Sequence, residues 1–232
     1  MRILSAGTVR MSKGGTAFTP LAYDGLVIQS HDATGIRIID AGNGGGNGGH
    51  CGIGNDNGNL QLSTAGDMMF DTGFAPTDQL YNGRNERMRI YSAGQVVTPS
   101  QPSWGARGLS NANASGGTAN ANETLVFSGL VNNTGNHYNS STGIFTAPVA
   151  GRYFVTFSGL YNVNDNTTGP VYIRHNSSER YRAYHQNSGG SYEQIAVSGV
   201  LEVAANDTIS IFSVIDGWHV GGETSFSGYL IG

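Results

Sequence analysis

Two short runs hold most of the side chains suited to meeting a ligand: Tyr172-Ile173-Arg174-His175 and Arg180-Tyr181-Arg182-Ala183-Tyr184-His185. Together with Tyr192 they form the most suggestive surface of the chain. Aromatic faces beside guanidinium forks suit sugar rings and acidic glycan groups. The plainer reading is two adjacent strands whose outward side carries Arg and Tyr for β propensity and solubility. Asp216-Gly217-Trp218-His219 reads as a turn that offers a Trp to solvent. The candidate binding set is Tyr172, Arg174, Arg182, Tyr184, His185, Trp218 and His219, facing a surface glycan or receptor.

Catalytic patterns do not emerge from the same search. Gly-x-Ser-x-Gly is absent, and Cys51 has only His50 beside it. Adjacent residues in extended chain point oppositely, a poor geometry for a nucleophile and its base. A lone cysteine forms no internal disulfide. Histidines at 31, 50, 137, 175, 185 and 219 show no paired metal spacing. His175 and His185 are placed to meet across a hairpin, as a surface pair rather than a zinc site. The run from Asn162 to Gly169 alternates oxygen donors as calcium loops do, but Ile173 occupies the place of the closing glutamate, so an Asn-rich turn is favoured. Glu179, Glu193, Glu202 and Glu223 fall in strand or turn patterns that explain them as solvated face, not a glycoside-cleaving pair. The expectation is a protein that is not an enzyme and carries no cofactor.

The elements that must position these residues are strands. With 36 Gly in 232 residues and frequent Asn, few windows are long enough for a stable helix, whereas runs such as Gly151 to Phe157 read as strand. Twelve basic against 16 acidic residues give a net charge of −4, and Lys13 is the single lysine, which disfavours nucleic acid as a partner. No stretch approaches the roughly 18 apolar residues of a membrane helix, so membrane insertion is not expected and the chain reads as soluble.

A short pattern recurs four times in the first half: Arg2 to Gly7, Arg37 to Gly42, Gln61 to Gly66 and Arg89 to Gly94, each ending Ala-Gly. Each reads as strand, tight turn, strand, with Gly7, Gly42, Gly66 and Gly94 at left-handed or other positions that favour glycine. Such hairpins, and the Gly-rich run from Ala41 to Gly58, lack the apolar side chains for a private core, so three copies around one axis are expected. The domain expectation is a β-rich repeat stalk over 1–98, a linker at 99–101 where Pro99 and Pro102 close the pattern, and a head over 102–232.

In that head about ten strand candidates follow one another at even spacing, the signal of a two-sheet sandwich. Phe127, Asn133, Tyr138, Phe145, Gly151, Tyr153 and Phe157, with the run Thr142 to Phe154 and the ending Ser225 to Ile231, resemble the signature of the complement 1q globular head. That family shares its jelly roll with tumour necrosis factor. Val155 departs from the pattern, which prefers Phe there. The resemblance implies an all-β, ten-stranded, homotrimeric head; some heads of the family bind calcium, so a calcium shared across the trimer belongs to the same implication. Glu86 to Val96, with Gly52-Ile53-Gly54-Asn55, is similar to repeats of bacteriophage tail fibres. Stalk followed by head then implies a virion structural protein: a trimeric fibre or spike on the phage particle, assembled in the host cytoplasm, contacting other virion proteins and engaging the host surface. The second reading is a capsid decoration, or cement, protein with a purely structural role.

Overall fold

Runs rich in β-branched and aromatic residues, broken by Gly and Asn, become strands throughout the computed structural model, and no helix occurs among the described residues. The structure describes residues 2–3, 9–13, 26–30, 34–39, 50–56, 59–64, 66–72, 85–110, 121–162, 168–186 and 192–232. They fall into two compact units, Met1–Thr98 and Pro99–Gly232.

In the first unit, β1 (Arg2–Ile3), β2 (Val9–Lys13) and β3 (Leu26–Ser30) form one sheet. A second holds β4 (Thr34–Ile39), β5 (His50–Asp56) and β6 (Asn59–Thr64), and a third β7 (Met68–Thr72), β8 (Asn85–Ile90) and β9 (Val96–Val97). The first and fourth sequence repeats are close antiparallel hairpins, Ile3 opposing Val9 and Ile90 opposing Val96. The second is antiparallel with a longer connection, Ile39 opposing His50. The third departs from expectation: β6 pairs with β5, Asn59 opposing Asp56, and β7 pairs with β8, so this repeat joins two sheets instead of closing a hairpin. Gly66 accordingly has no positive φ, whereas Gly94 turns the fourth hairpin at φ +91°. There the Gly94 N–H donates to the Tyr91 carbonyl at 2.8 Å. Gly7 and Gly42 lie outside the described residues. Arg89 links Asp67 and Glu86, and Asp67 also accepts the Ser92 N–H at 3.0 Å. Across residues 66–72 and 85–98 every side chain is exposed or only partly covered.

The second unit contains β10 (Ser103–Leu109), β11 (Glu123–Thr124), β12 (Phe127–Thr134), β13 (Tyr138–Asn139), β14 (Ile144–Thr146) and β15 (Gly151–Asn162). It continues with β16 (Gly169–His175), β17 (Ser178–His185), β18 (Tyr192–Val203), β19 (Thr208–Ser213) and β20 (Ser225–Leu230). One sheet runs β12-β10-β20-β15-β18; the other runs β13-β14-β19-β16-β17, with β11 also on β19. Among the described residues eleven strands replace the expected ten because the run around 124–130 splits. Leu125 buries its side chain between the two pieces and donates its N–H to the Ile211 carbonyl at 2.8 Å. The Gln101 amide donates to the Leu230 carbonyl and the Leu230 N–H to the Pro102 carbonyl, so the segment read as the end of a linker is bonded to the final strand.

Period-two alternation places the core between the sheets. From the five-stranded sheet come Trp104, Phe127, Tyr153, Val155, Phe157, Tyr161, Leu201 and Phe226; from the other Tyr138, Phe145, Val171, Ile173, Ile209 and Ile211. Trp104 stacks on Phe145 at 3.8 Å between centroids and meets Phe226 edge-on at 5.4 Å. Glycine is required under it: a Cβ on Gly228 would lie 2.3 Å from the Trp104 ring. Val155, the departure from the family pattern, is itself fully buried.

Candidate functional site

Each sheet turns one face to the core and one outward, and the two outward faces differ in chemistry. On the five-stranded sheet one row across the strands reads Thr134, Ser103, Tyr229, Phe154, Val200. Phe154 and Tyr229 are in ring contact at 5.6 Å, and Tyr229 and Val200 stay 51% and 44% exposed. The next row is Asn132, Gly105, Ser227, Thr156, Ser198, all small or polar. An apolar ridge therefore runs beside a row of small or polar residues. At the sheet's edge β12 exposes Leu130 (49%) and Val131 (70%) beside an irregularity in its pairing with β10. Sequence reasoning missed this ridge, although the alternation of Phe154 with buried Tyr153 and Val155 carries its signal.

The outward face of the other sheet holds the Arg and Tyr residues expected from sequence. Tyr172 sits in register between Phe212 on β19 and Arg182 on β17. Tyr184 follows two residues after Arg182, and both are exposed. Arg174 is engaged within the protein: its guanidinium lies 3.3 Å above the Phe212 ring and donates to Glu179 at 3.3 Å.

Three expectations for this region are corrected. His185 is fully buried, facing inward at the end of β17 because inward and outward residues alternate along the strand. Its ring lies 3.8 Å from that of Tyr161 and its Nδ1 2.6 Å from Glu193 Oε2, so Glu193 points into the sandwich and is not simply solvated face. Trp218 is fully buried too: its ring meets Phe157 and Tyr161 edge-on, and its Nε1 donates to Ser213 Oγ at 2.6 Å. The bridge between Tyr161 and Trp218 folds the turn back onto β15, which sequence spacing does not reveal. His175 and His185 do not meet, because in the hairpin register His175 opposes Ser178 and His185 opposes Gly169. His219 is partly exposed and contacts Glu223 at 3.2 Å. Of the seven candidates, Tyr172, Arg174, Arg182 and Tyr184 share one face, and His185, Trp218 and His219 do not join them.

His175 instead helps build a corner. Its Nε2 contacts Asp207 Oδ2 at 2.7 Å, the Asn176 amide donates to Oδ1 at 2.6 Å, and the Ala204 N–H donates to Oδ2 at 2.9 Å. These contacts, the Asn176 amide foremost, hold the Asp207 carboxyl down at about 2. Most of the calcium-like run from Asn162 to Gly169 lies outside the described residues, and no group of three or more His, Cys, Asp or Glu suited to a metal occurs among those described.

The remaining signature residues lock strands to one another. The Tyr138 hydroxyl accepts the Phe127 N–H at 3.2 Å and donates to the Phe127 carbonyl at 3.1 Å. The Asn133 side chain grips Tyr138 in turn, accepting its N–H at 3.0 Å and donating to its carbonyl at 2.8 Å. Burial pushes the Tyr138 phenol up to about 12, against the opposing pull of the Phe127 backbone, so it remains a neutral donor and acceptor. Phe127, Phe145, Tyr153 and Phe157 are all fully buried, and Gly151 opens β15.

Two packed antiparallel sheets with an aromatic core and these two reciprocal locks define a jelly-roll head. The model of the C1q domain matches residues 110–231, and the chain belongs to the C1q domain family. Complement C1q tumor necrosis factor-related protein 3 of Mus musculus and that of Homo sapiens are each 33% identical over 91 residues, which is 39% of this chain. The alignment spans 37% of the length of those relatives. The globular domain of zebrafish complement 1qA protein covers 57% of this chain and 98% of its own, at 18% identity and a TM-score of 0.42. Murine APRIL covers 56% and 99%, at 13% identity and a TM-score of 0.43.

The chain matches the C1q domain model and the two C1q tumor necrosis factor-related proteins are mammalian, which overturns the virion reading in both its forms, fibre and capsid decoration, together with the expected place on a phage particle. The tail-fibre resemblance had rested on Glu86 to Val96, with its Ala93-Gly94 turn, and on Gly52-Ile53-Gly54-Asn55, short glycine-biased motifs. Glycine eases the backbone of a tight turn in any protein, so such motifs report local geometry and not lineage.

Proposed function

We propose that this chain is a non-enzymatic C1q-domain protein whose head self-associates as a homotrimer through the outward face of the five-stranded sheet. The observation that carries the reading is the ridge of Tyr229, Phe154 and Val200 beside a row of small and polar residues, Asn132, Gly105, Ser227, Thr156 and Ser198. Exposed apolar side chains in a continuous row mark a surface that meets another protein. A closed ring of three needs two different patches on each copy, and Leu130 with Val131 on the β12 edge supplies the second. C1q and tumour necrosis factor-like families are non-enzymatic ligand-binding or structural proteins, which supports the same reading.

In this proposal residues 1–98 form a Gly-rich β region of assembly, 99–101 connect it, and 102–232 are the head. Support for the assembly role comes from residues 66–72 and 85–98, where no side chain is buried, since strands without a core gain one only from neighbours. Native mass spectrometry of the full chain tests the proposal. A trimer is expected, and Tyr229→Arg or Val131→Asp is expected to weaken it while far-ultraviolet circular dichroism stays unchanged. A wild-type chain that is monomeric at micromolar concentration overturns the proposal.

A further inference from the structure

From the outward face of β16 and β17 we infer a second, separate site, which binds a carboxylate-bearing sugar with Arg182 as its anion fork. Tyr172 and Arg182 are directly paired across the two strands, so their side chains stand side by side, about 5 Å apart. Tyr184 lies on the same face two residues along β17, roughly 7 Å from Arg182. Arg182 therefore has one tyrosine across the hairpin and a second along its own strand.

Charge complementarity selects the ligand. The whole chain carries −4, yet the hairpin from Gly169 to His185 carries Arg174, Arg180 and Arg182 against Glu179 alone among acids. Glu179 is taken by Arg174, whose guanidinium is also committed to the Phe212 ring. Arg182 is exposed and has no acidic partner among the described residues. A free, planar five-donor fork takes a carboxylate through two parallel hydrogen bonds. The neighbouring aromatic rings accept the apolar face of a pyranose ring, and their hydroxyls its polar edge.

The platform is also rigid. On β17 the alternate residue Tyr181 turns inward, and its hydroxyl donates to the Val200 carbonyl of the opposite sheet at 2.6 Å. A Cβ on Gly199 would overlap that ring, so β17 is seated closely on β18. Side chains fixed on paired strands lose little freedom on binding. This surface belongs to the sheet opposite the proposed self-association face, and the two roles stand or fall separately. In an oligomer, linked copies of a weak site gain from effective concentration.

The probe is trigalacturonic acid, titrated into the full-length protein by calorimetry and by chemical-shift perturbation at low and high salt. Saturable binding that weakens as salt rises is expected, with a loss of about tenfold or more in Arg182→Ala and a smaller loss in Arg182→Lys, which keeps the charge without the fork. Tyr184→Ala, at an exposed position, is expected to weaken binding severalfold. Arg107→Ala removes the same charge from the other sheet and is expected to bind as wild type. Maltotriose, the neutral counterpart, is expected not to bind. No binding by wild type at millimolar trigalacturonate, or equal binding by a folded Arg182→Ala variant, overturns the inference. Triglutamate binding as well as the sugar acid also overturns it, in favour of an acidic peptide as ligand.

Discussion

Removing one oxygen atom tests the account of how the edge of the five-stranded sheet is closed. Tyr138→Phe preserves the ring, which is 3% exposed and meets Phe226 edge-on, while deleting the hydroxyl that satisfies both backbone groups of Phe127. Phe127 is fully buried, and neither its N–H nor its carbonyl has an obvious replacement once the phenol is gone. A lost hydrogen bond that leaves a buried partner unsatisfied costs about 1–3 kcal/mol. Two such groups on one residue, partly relieved by local adjustment, give about 2–4 kcal/mol. For a unit of this size that corresponds to a fall in Tm of roughly 8–15 °C. The assay is thermal and urea unfolding of the full chain and the variant, followed by near-ultraviolet circular dichroism at matched protein concentration, since association makes Tm depend on concentration. Asn133→Asp serves as the companion, because it replaces the amide that donates to the Tyr138 carbonyl with a carboxylate that repels it. A Tyr138→Phe variant within about 0.5 kcal/mol of wild type would refute the reasoning, since that is the range of ordinary surface changes.

Gly228→Ala places a Cβ 2.3 Å from the Trp104 ring and 2.7 Å from the Phe154 carbonyl oxygen, so overpacking of about 1–3 kcal/mol is expected, read as a lower urea midpoint and a changed Trp fluorescence spectrum. Asp207, held at about 2 against an unfolded value near 3.9, contributes stability that is fully present above pH 4 and lost as pH falls toward 2. Asp207→Asn is therefore expected to be less stable than wild type at pH 6, with the gap in Tm closing as both are titrated below pH 4.

Strand positions in the second unit were legible because alternation is a property of the chain itself. Tyr153, Val155 and Phe157 must share one face of any strand that contains them, and burying that face fixes the register of β15. The aromatic signature from Phe127 to Phe157 was equally legible, and with it the family. Local turn chemistry was read with less success: the same Ala-Gly closes a hairpin at Gly94 but joins separate sheets at Gly66. Glycine permits a left-handed turn without requiring one, and which strand β6 meets is decided by its neighbours in space.

The sequence by itself determined an all-β chain, the alternating core of its second half, and which side chains of β16 and β17 face the same way. Those follow from composition and from the two-residue period of extended backbone, which act within a few residues. Only the tertiary structure decided which polar and aromatic side chains remain available. It buried Trp218 against Phe157 and Tyr161, turned His185 toward Glu193, engaged Arg174 with Phe212 and Glu179, and left Arg182 without an acidic partner among the described residues. Each outcome depends on residues brought together from different strands, and the energy of burial or pairing belongs to that assembled neighbourhood rather than to any local run of sequence.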